Sequence, residues 1–599
     1  MNRSKSVLDY AAFGNGRVLG LVSPTSAIDW LCLPRFDSPS VFGALLDPSA
    51  AGRFRVLHRG EEIAGQIGYL RNTNVVRTEF ACGDDVWEVI DFAPRIPSGL
   101  DLECPIEIVR LIRPVAGHPR LSIDFEPRPD YGRARVNWGP VDRGLLAEWD
   151  QGTLDIGSNL PSPYLRNGQE FLLTDPIFVS VHYGRRAVRP TVAEAQYRLE
   201  VTVEGWRRWA KTCGLPTFAA EAVLRSALCL KLHAFHDTGA IIAAATTSIP
   251  EALGTERTWD YRFCWVRDAA FVVEALRRLS YLGEGEQLLT FLRDVVESGP
   301  LQPLYGIGGE RQLPEEHLHH LAGYRGNGHV RIGNAASLQS QHDLMGEVVL
   351  CIETLLTDPR ISYQDPRPFF PLIKRLVEDA IRLAPVPDTG IWEFRTSLKH
   401  HTFSRAMCWV AIHRGALLAR RLGFEAEARE WEAIAEVERA TVLSRAYNAD
   451  LGFFTQALDG QYPDAANLLL PAIGIIDARD PRFVATVEAT GRLLTRKGLV
   501  YRYRNPDDFG EVTSTFTICS FWYAEALALI GRLEEAVEVF EYVLSFANQV
   551  GLFSEDIDPD TGELLGNFPQ AYTHVGLIHA AMTIGELIEA RDGRVRAWC

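Results

Sequence analysis

The sequence predicts two structural parts: an antiparallel β-sandwich over residues 1–200, then, after a linking helix at 201–217, an (α/α)6 toroid over 218–599. Three observations carry this. The first 200 residues are short alternating or β-branched runs broken by Gly, Pro and Asp. From Phe218 onward, stretches with apolar residues at helical spacing take over. The connections between those stretches alternate between long and short. A chain of 599 residues suits two to four domains, so a two-part reading lies within the length prior.

In the first part the runs fall at 53–57, 74–80, 86–92, 106–112, 121–125 and 177–182, the spacing of a sandwich. The stretch Ile28-Asp29-Trp30-Leu31-Cys32-Leu33-Pro34-Arg35-Phe36-Asp37 mixes charged and aromatic residues around a proline. It reads either as a turn packed on the sandwich or as a loop reaching a neighbouring domain. Around 203–210 the period changes to helical, with Trp206 and Trp209 on one face.

Twelve helices are predicted, beginning near Phe218, Asp268, Glu284, His342, Arg367, Thr402, Glu425, Ala465, Asp480, Phe516, Leu533 and Gln570. The connections before the second, fourth, sixth, eighth, tenth and twelfth are long, and those before the third, fifth, seventh, ninth and eleventh are short. Short turns make neighbours antiparallel, so the long connections emerge at one end. Six hairpins arranged this way close into a toroid with the even helices inside, and the loops form a pocket at one mouth. An open solenoid would show a repeating unit, and the chain has none.

The mouth loops are therefore where chemistry is expected. Before the second helix stands Thr258-Trp259-Asp260-Tyr261-Arg262-Phe263-Cys264-Trp265-Val266-Arg267-Asp268, with four aromatics and two pairings of Arg with Asp. Sugars present flat apolar faces and a rim of hydroxyls, which aromatic rings and charged planar groups recognise together. Asp268 also reads as a helix N-cap, and the two roles are compatible. Before the fourth helix, Tyr305, Tyr324, Arg325, Arg331 and Asn334 are possible walls or hydroxyl donors.

The loop Gly390-Ile391-Trp392-Glu393-Phe394 sets a carboxyl beside an indole, where one-sided desolvation favours its protonated form. A helix N-terminal Glu beside a packed Trp is the bland explanation. Leu499-Val500-Tyr501-Arg502-Tyr503-Arg504 alternates planar charge with aromatics, which a solvated hairpin explains equally well. Gly551-Leu552-Phe553-Ser554-Glu555-Asp556-Ile557-Asp558 brings a second carboxylate to the same mouth. Two carboxylates across an aromatic pocket meet the requirement of glycoside hydrolysis, one as acid and one to activate water.

Other chemistries fit less well. Asp556 to Asp560 imitates a calcium loop, but the glycine falls at Gly562 and the twelfth position is Asn567. His317, His319 and His320, and His400 with His401, lack metal-ligand spacing, so neither a metal nor another cofactor is expected. The ten cysteines form no CxxC pair and read as reduced, mostly buried residues. A formal charge of -16 without a basic cluster argues against nucleic acid, and no apolar run reaches membrane-spanning length. Residues 1–10 carry basic residues but no apolar signal core, so a cytoplasmic location is expected. The expected partner is a small sugar, and the oligomeric state is left open.

Taken together, 258–268, Gly390 to Glu393, 516–522 with its Cys-Ser-Phe-Trp, and Ser554-Glu555 running into Leu565-Gly566-Asn567-Phe568-Pro569-Gln570 resemble glycoside hydrolase family 15. The 28–37 stretch resembles that family's two-domain bacterial members, and the similarity extends over nearly the whole chain. The family contains glucoamylases, glucodextranases and bacterial trehalases. The resemblance implies an exo-acting, inverting α-glucosidase with Glu393 as general acid and Glu555 as general base. It implies that Arg267 and Asp268 hold the non-reducing glucose beside Tyr261 and Trp265, that Trp392 is the wall next to the acid, and that Arg502 binds hydroxyls. Inversion implies carboxyl groups about 6.5–9.5 Å apart.

Two departures shape the substrate expectation. Starch-cleaving relatives carry a second carboxylate directly after the acid, where this chain has Phe394. Many bacterial relatives have Glu-Gly-Ala-Phe where this chain has Thr513-Ser514-Thr515-Phe516. An intracellular disaccharide, α,α-trehalose, is the first expectation, and short α-1,4 or α-1,6 glucans such as isomaltose the second. A disaccharide phosphorylase would lack a base at Glu555, an inactive sugar-binding protein has no need of two carboxylates, and a terpene cyclase would show a DxDD or zinc pattern.

Overall fold

The computed structural model describes residues 8–99, 101–141, 144–361 and 365–593. Residues 1–7 and Cys599 lie outside the described residues.

The N-terminal part is two antiparallel sheets. One has seven strands, from Ala11–Gly14 through Ile28–Cys32 and Arg53–His58 to Arg120–Glu126 and Phe171–Leu172. The other has eight, with Val76–Cys82, Asp85–Phe92, Glu107–Ala116 and Ile177–Tyr183 at its centre and Asn137–Val141 and Gln66–Tyr69 at its edges. In Arg53–His58 burial alternates residue by residue, placing Phe54, Val56 and His58 inward, as the period of a strand requires. Between the sheets Arg110 is buried against Asp91 at 2.7 Å and donates to the carbonyl of Phe54 in the opposite sheet (3.2 Å). A buried guanidinium needs this complement of acceptors.

The connecting helix runs Val192–Lys211 and so begins before residue 201. Its start is set by Thr191, whose hydroxyl accepts the Glu194 N–H at 3.2 Å. Thr191 and Glu194 have the spacing of a capping box. Trp206 and Trp209 meet on this helix edge to face, 6.3 Å apart.

The second part contains Ala220–His233, Val266–Arg278, Gly283–Glu297, Leu344–Thr357, Phe370–Leu383, Thr402–Leu422, Glu425–Arg445, Pro481–Leu493, Thr517–Leu529, Leu533–Leu544 and Ala571–Arg591. The eighth expected helix is instead the 3-10 segment Ala465–Leu469. Pro471 follows closely, and a proline cannot supply the N–H that continuation needs. Val266–Arg278, Leu344–Thr357, Thr402–Leu422, Ala465–Leu469, Thr517–Leu529 and Ala571–Arg591 touch in sequence, and the last touches the first. This closes the inner ring of an (α/α)6 toroid. Thr402–Leu422 is buried almost all round, whereas Phe370–Leu383 in the outer layer buries one stripe of Ile373, Leu376, Val377 and Ala380.

The 28–37 stretch joins the two parts. The Trp30 indole N–H donates to the carbonyl of Ala245 (2.7 Å), Arg35 pairs with Glu310 (2.8 Å), and Asp37 accepts the Ile307 N–H (3.3 Å). Arg262, fully buried, pairs with Asp260 at 2.6 Å and donates to the carbonyl of Ser38 (2.8 Å) and the hydroxyl of Tyr131 (2.7 Å). The sandwich thus grips the 258–268 loop from behind, and no residue of 28–37 lines the cavity described below.

Candidate active site

At the mouth of the toroid, Tyr261, Trp265, Arg267, Asp268, Trp392, Glu393, Arg502 and Glu555 all line one cavity. Its interior offers the centre of a water molecule ≈ 90 Å³. A larger depression, ≈ 1050 Å³, lies on the helical layer and is walled by Phe271, Arg277, Glu353 and Arg414. It holds none of the residues named from the sequence, and the smaller cavity is where the chemistry gathers.

Glu393 sits in a tight turn whose ends are tied by the Glu393 N–H to the carbonyl of Gly390 and the Phe394 N–H to the carbonyl of Thr389, both 3.1 Å. Glu393 has φ 62 and Gly390 φ 66. A side chain at position 390 would press its Cβ to 2.6 Å from the His401 ring, so this turn requires glycine there. A left-handed glutamate is uncommon, and such conformations concentrate at functional sites.

The Glu393 carboxylate accepts the Trp265 indole N–H (2.8 Å) and the Gln341 amide (3.1 Å), with Arg267 at 3.7 Å. The neighbouring Trp392 turns elsewhere, donating to both oxygens of Asp464 at 3.0 and 2.9 Å. The indole that touches the carboxyl therefore comes from position 265. Phe394 stacks on His401, 5.4 Å away, and lies 5.2 Å from Tyr503.

Arg267 and Asp268 lie in the first turn of Val266–Arg278, whose N-cap is Trp265 rather than Asp268. Arg267 donates to Asp343 (2.9 Å) and Gln341 (3.0 Å). Burial raises the Asp268 carboxyl to about 6 against the pull of Arg267.

Glu555 is held by a small three-stranded sheet of Thr515–Phe516, Asp556–Ile557 and Leu564–Leu565. Its N–H bonds to the carbonyl of Asn567 (3.1 Å) and its carbonyl accepts the Thr517 N–H (2.9 Å). Gly566 has φ +72, and a Cβ there would lie 2.7 Å from both Cβ and Oε2 of Glu555. The Glu555 side chain is buried, accepts the Tyr261 hydroxyl at 2.6 Å through Oε1, and leaves Oε2 without a protein partner. Burial and the charge of Glu251 push its carboxyl up, opposed by Tyr261 and Arg502. Burial, with Glu555 and Glu251 beside it, also raises Asp556 far above the usual carboxylate range.

Arg502 pairs with Glu251 at 2.6 Å. Glu251 also accepts the Trp259 indole N–H (2.7 Å). Glu251, Asp343, Gln341, Asp464, Arg257 and Asp507 carry no local sequence signal, since the partner that brings each to the site lies far along the chain. Of the residues expected before the fourth helix, Asn334 lines the cavity. Tyr305 is packed inside, Arg325 pairs with Glu563 at 3.1 Å, and Arg331 pairs with Glu315 at 2.6 Å over the face of Trp259. His320 bonds the carbonyl of Tyr131 (2.9 Å), and His401 packs on Phe394.

Glu251, Glu555 and Asp556 bring carboxylate oxygens within 4.8 Å of one another, the one group among the described residues with metal-like spacing. Arg502 already supplies the positive charge beside Glu251. No helix of the described residues is long and apolar enough to cross a membrane.

Residues 217–582 match the model of Glycosyl hydrolases family 15, and residues 3–155 match that of Trehalase-like, N-terminal. The chain is 37% identical to a trehalase of Mycolicibacterium smegmatis, covering 98% of this chain and 92% of that protein. It is 33% identical to a trehalase of Thermoplasma volcanium, over 98% and 95%. The fold is similar to that of a bacterial glucoamylase complexed with acarbose, with TM-score 0.69, 13% identity and coverage of 98% and 96%.

Proposed function

The chain belongs to glycosyl hydrolases family 15 and is a glycosidase acting on glucosides; we propose that it hydrolyses α,α-trehalose with inversion, Glu393 acting as general acid and Glu555 as general base. One observation carries the reading: Glu393 and Glu555 line the same aromatic cavity, each with a hydrogen-bond donor aimed at it. The substrate follows the trehalases to which nearly the whole chain is similar.

In this reading one glucose lies at the bottom of the cavity, its hydroxyls held by Arg267 and Asp268 and its faces against Trp392 and Trp265. Arg502 binds sugar hydroxyls from the side of Glu251. Glu393 gives its proton to the oxygen between the two sugars as the bond from that oxygen to the anomeric carbon breaks. Water adds to the same carbon from the opposite face and passes a proton to Glu555, which Tyr261 orients. The products are one β-glucose and one α-glucose. The free Oε2 of Glu555 suits it to receive that proton. Residues 218–599 would supply the chemistry, with the sandwich as support.

A cytoplasmic location belongs to the same reading. Nine described cysteines are unpaired, and Cys82 among them is exposed, which suits a reducing compartment. Cell fractionation that finds the protein outside the cytoplasm overturns it.

The test is glucose release from trehalose, maltose, isomaltose and maltooligosaccharides in parallel, with and without phosphate, following the anomer by NMR. Equal α- and β-glucose from trehalose supports the reading. Preference for maltose or isomaltose transfers the enzyme to another substrate, and strict phosphate dependence with a sugar phosphate product removes the role of Glu555.

A further inference from the structure

We propose that Asp508 determines substrate length: it straps the 505–510 turn to the loop carrying Glu393 and closes the cavity behind a second sugar, confining the enzyme to disaccharides. The proposal rests on the hydrolytic reading above and deepens it.

The base of the strap is Asp507. Its carboxylate accepts two bonds from Arg257 (2.8 and 2.6 Å), one from the Tyr503 hydroxyl (2.7 Å) and one from the Phe509 N–H (2.8 Å). Asp507 and Gly510 also exchange backbone hydrogen bonds at 3.0 and 3.2 Å. A turn knotted this firmly leaves the next side chain, Asp508, pointing across the mouth. There it accepts the N–H groups of Arg395 and Thr396 and the Thr396 hydroxyl. Arg395 and Thr396 follow Glu393 by two and three residues, so the strap joins the connection before Thr402–Leu422 to the one before Thr517–Leu529.

The strap also brings a planar rim together. Phe509 meets Trp259 edge to face at 5.1 Å, and the Arg395 guanidinium lies over Trp259 at 4.8 Å and over Phe509 at 5.5 Å. Arg395 is held there by Glu315 at 3.2 Å. Flat faces and a guanidinium suit a second pyranose that leaves as product. Asp508 lines the cavity together with Arg395 and Phe509, so a third ring would have to pass where Asp508 crosses. Phe394 faces His401 and Tyr503, so the residue after Glu393 contributes no carboxylate to a longer chain.

Arg395 and Thr396 are exposed, so the bridge is a surface one whose loss leaves the core intact. Asp508→Ala removes all three acceptor contacts, while Asp508→Asn keeps one oxygen for Thr396 and turns an NH2 toward the Arg395 N–H, which in the wild type bonds to the other oxygen. The readout is the ratio of kcat/KM between a disaccharide and its homologue longer by one α-1,4-linked glucose. Two pairs are used: trehalose with its maltosyl homologue, and maltose with maltotriose.

The expected result is a wild-type ratio of at least tenfold in favour of the disaccharide in the better-cleaved pair. Asp508→Ala should narrow it about tenfold, and Asp508→Asn, which keeps the Thr396 contacts alone, should narrow it less. A wild type that cleaves the longer substrate as well as the shorter overturns the proposal, as does an Asp508→Ala ratio within twofold of wild type. Those outcomes leave the hydrolytic reading standing. Failure of the wild type to release glucose from any of the four sugars removes the hydrolytic reading itself, and this proposal with it.

Discussion

Tyr261 and Trp265 meet edge to face, 5.3 Å between ring centres, and each directs its polar hydrogen at a different carboxylate of the cavity, Tyr261 at Glu555 and Trp265 at Glu393. Four residues apart on one loop, they form a ruler between the two groups assigned to acid and base. The edge-to-face contact resists sliding, so a shift of either ring moves both carboxylates' partners together.

Replacing either carboxylate by its amide should separate chemistry from folding. Glu393→Gln and Glu555→Gln are each expected to lower kcat about 10²–10⁴-fold while the melting temperature stays within a few degrees of wild type. Steady-state kinetics with calorimetry checks this, and near-wild-type turnover by either variant removes its assigned role.

Trp265→Phe keeps an aromatic edge against Tyr261 and deletes one donor to Glu393. Loss of a hydrogen bond to a group that becomes charged as it gives up its proton is worth about 1.5–3 kcal/mol, or roughly 10–100-fold in kcat/KM. The effect should appear mainly in kcat; an increase in KM alone would mean that Trp265 binds sugar without serving Glu393.

Burial and Glu251 raise the Glu555 carboxyl, so a base in this position gains activity as pH rises through its displaced pKa. Glu251→Gln removes one of those causes and frees the charge of Arg502. The acid limb of the kcat/KM profile should therefore move to lower pH. A limb that stays in place or moves upward contradicts the electrostatic role of Glu251.

Asp388 is buried, and burial raises its carboxyl to about 7 despite donors from His342 and Ser404. The folded state thus holds a proton that the unfolded state has released. That contribution is complete below about pH 4 and fades as pH climbs through 7, by up to about 4 kcal/mol. Asp388→Asn imitates the protonated form, and its advantage in melting temperature over wild type should be larger at pH 8 than at pH 5. An equal difference at both pH values would place the charge of Asp388 in compensated surroundings.

The Cβ of Gly566→Ala would stand 2.7 Å from the Glu555 carboxylate on a backbone at φ +72. We expect loss of more than 1 kcal/mol of stability and a disproportionate fall in kcat, read by denaturant unfolding and kinetics of the same sample. Wild-type kcat would show that the small sheet tolerates the displacement.

The toroid was legible because period and connection length are properties of long stretches, and eleven of the twelve expected helices are α-helices. The helix expected from Ala465 is instead a 3-10 segment: the apolar residues on either side of Asn467 look helical until Pro471 is weighed against them. Glu393, Glu555 and the Tyr261 to Asp268 run were legible for a different reason: aromatic and charged residues crowd together locally. Glu251 offers no such crowding, and its partner Arg502 is 251 residues away, so only the closed ring of helices brings them to one place. Position 392 illustrates the limit from the other side, since adjacency in sequence pointed Trp392 at Glu393 while the left-handed turn sends its indole to Asp464.

The grip of the sandwich on the 258–268 loop bears on how such a chain can be recombined. Arg262 is satisfied half by its own loop, through Asp260, and half by Ser38 and Tyr131 across the boundary. A chimera whose first part lacked these acceptors would leave this guanidinium with Asp260 as its partner from its own loop. A functional graft must therefore carry Trp30, Ser38 and Tyr131 together with Arg262.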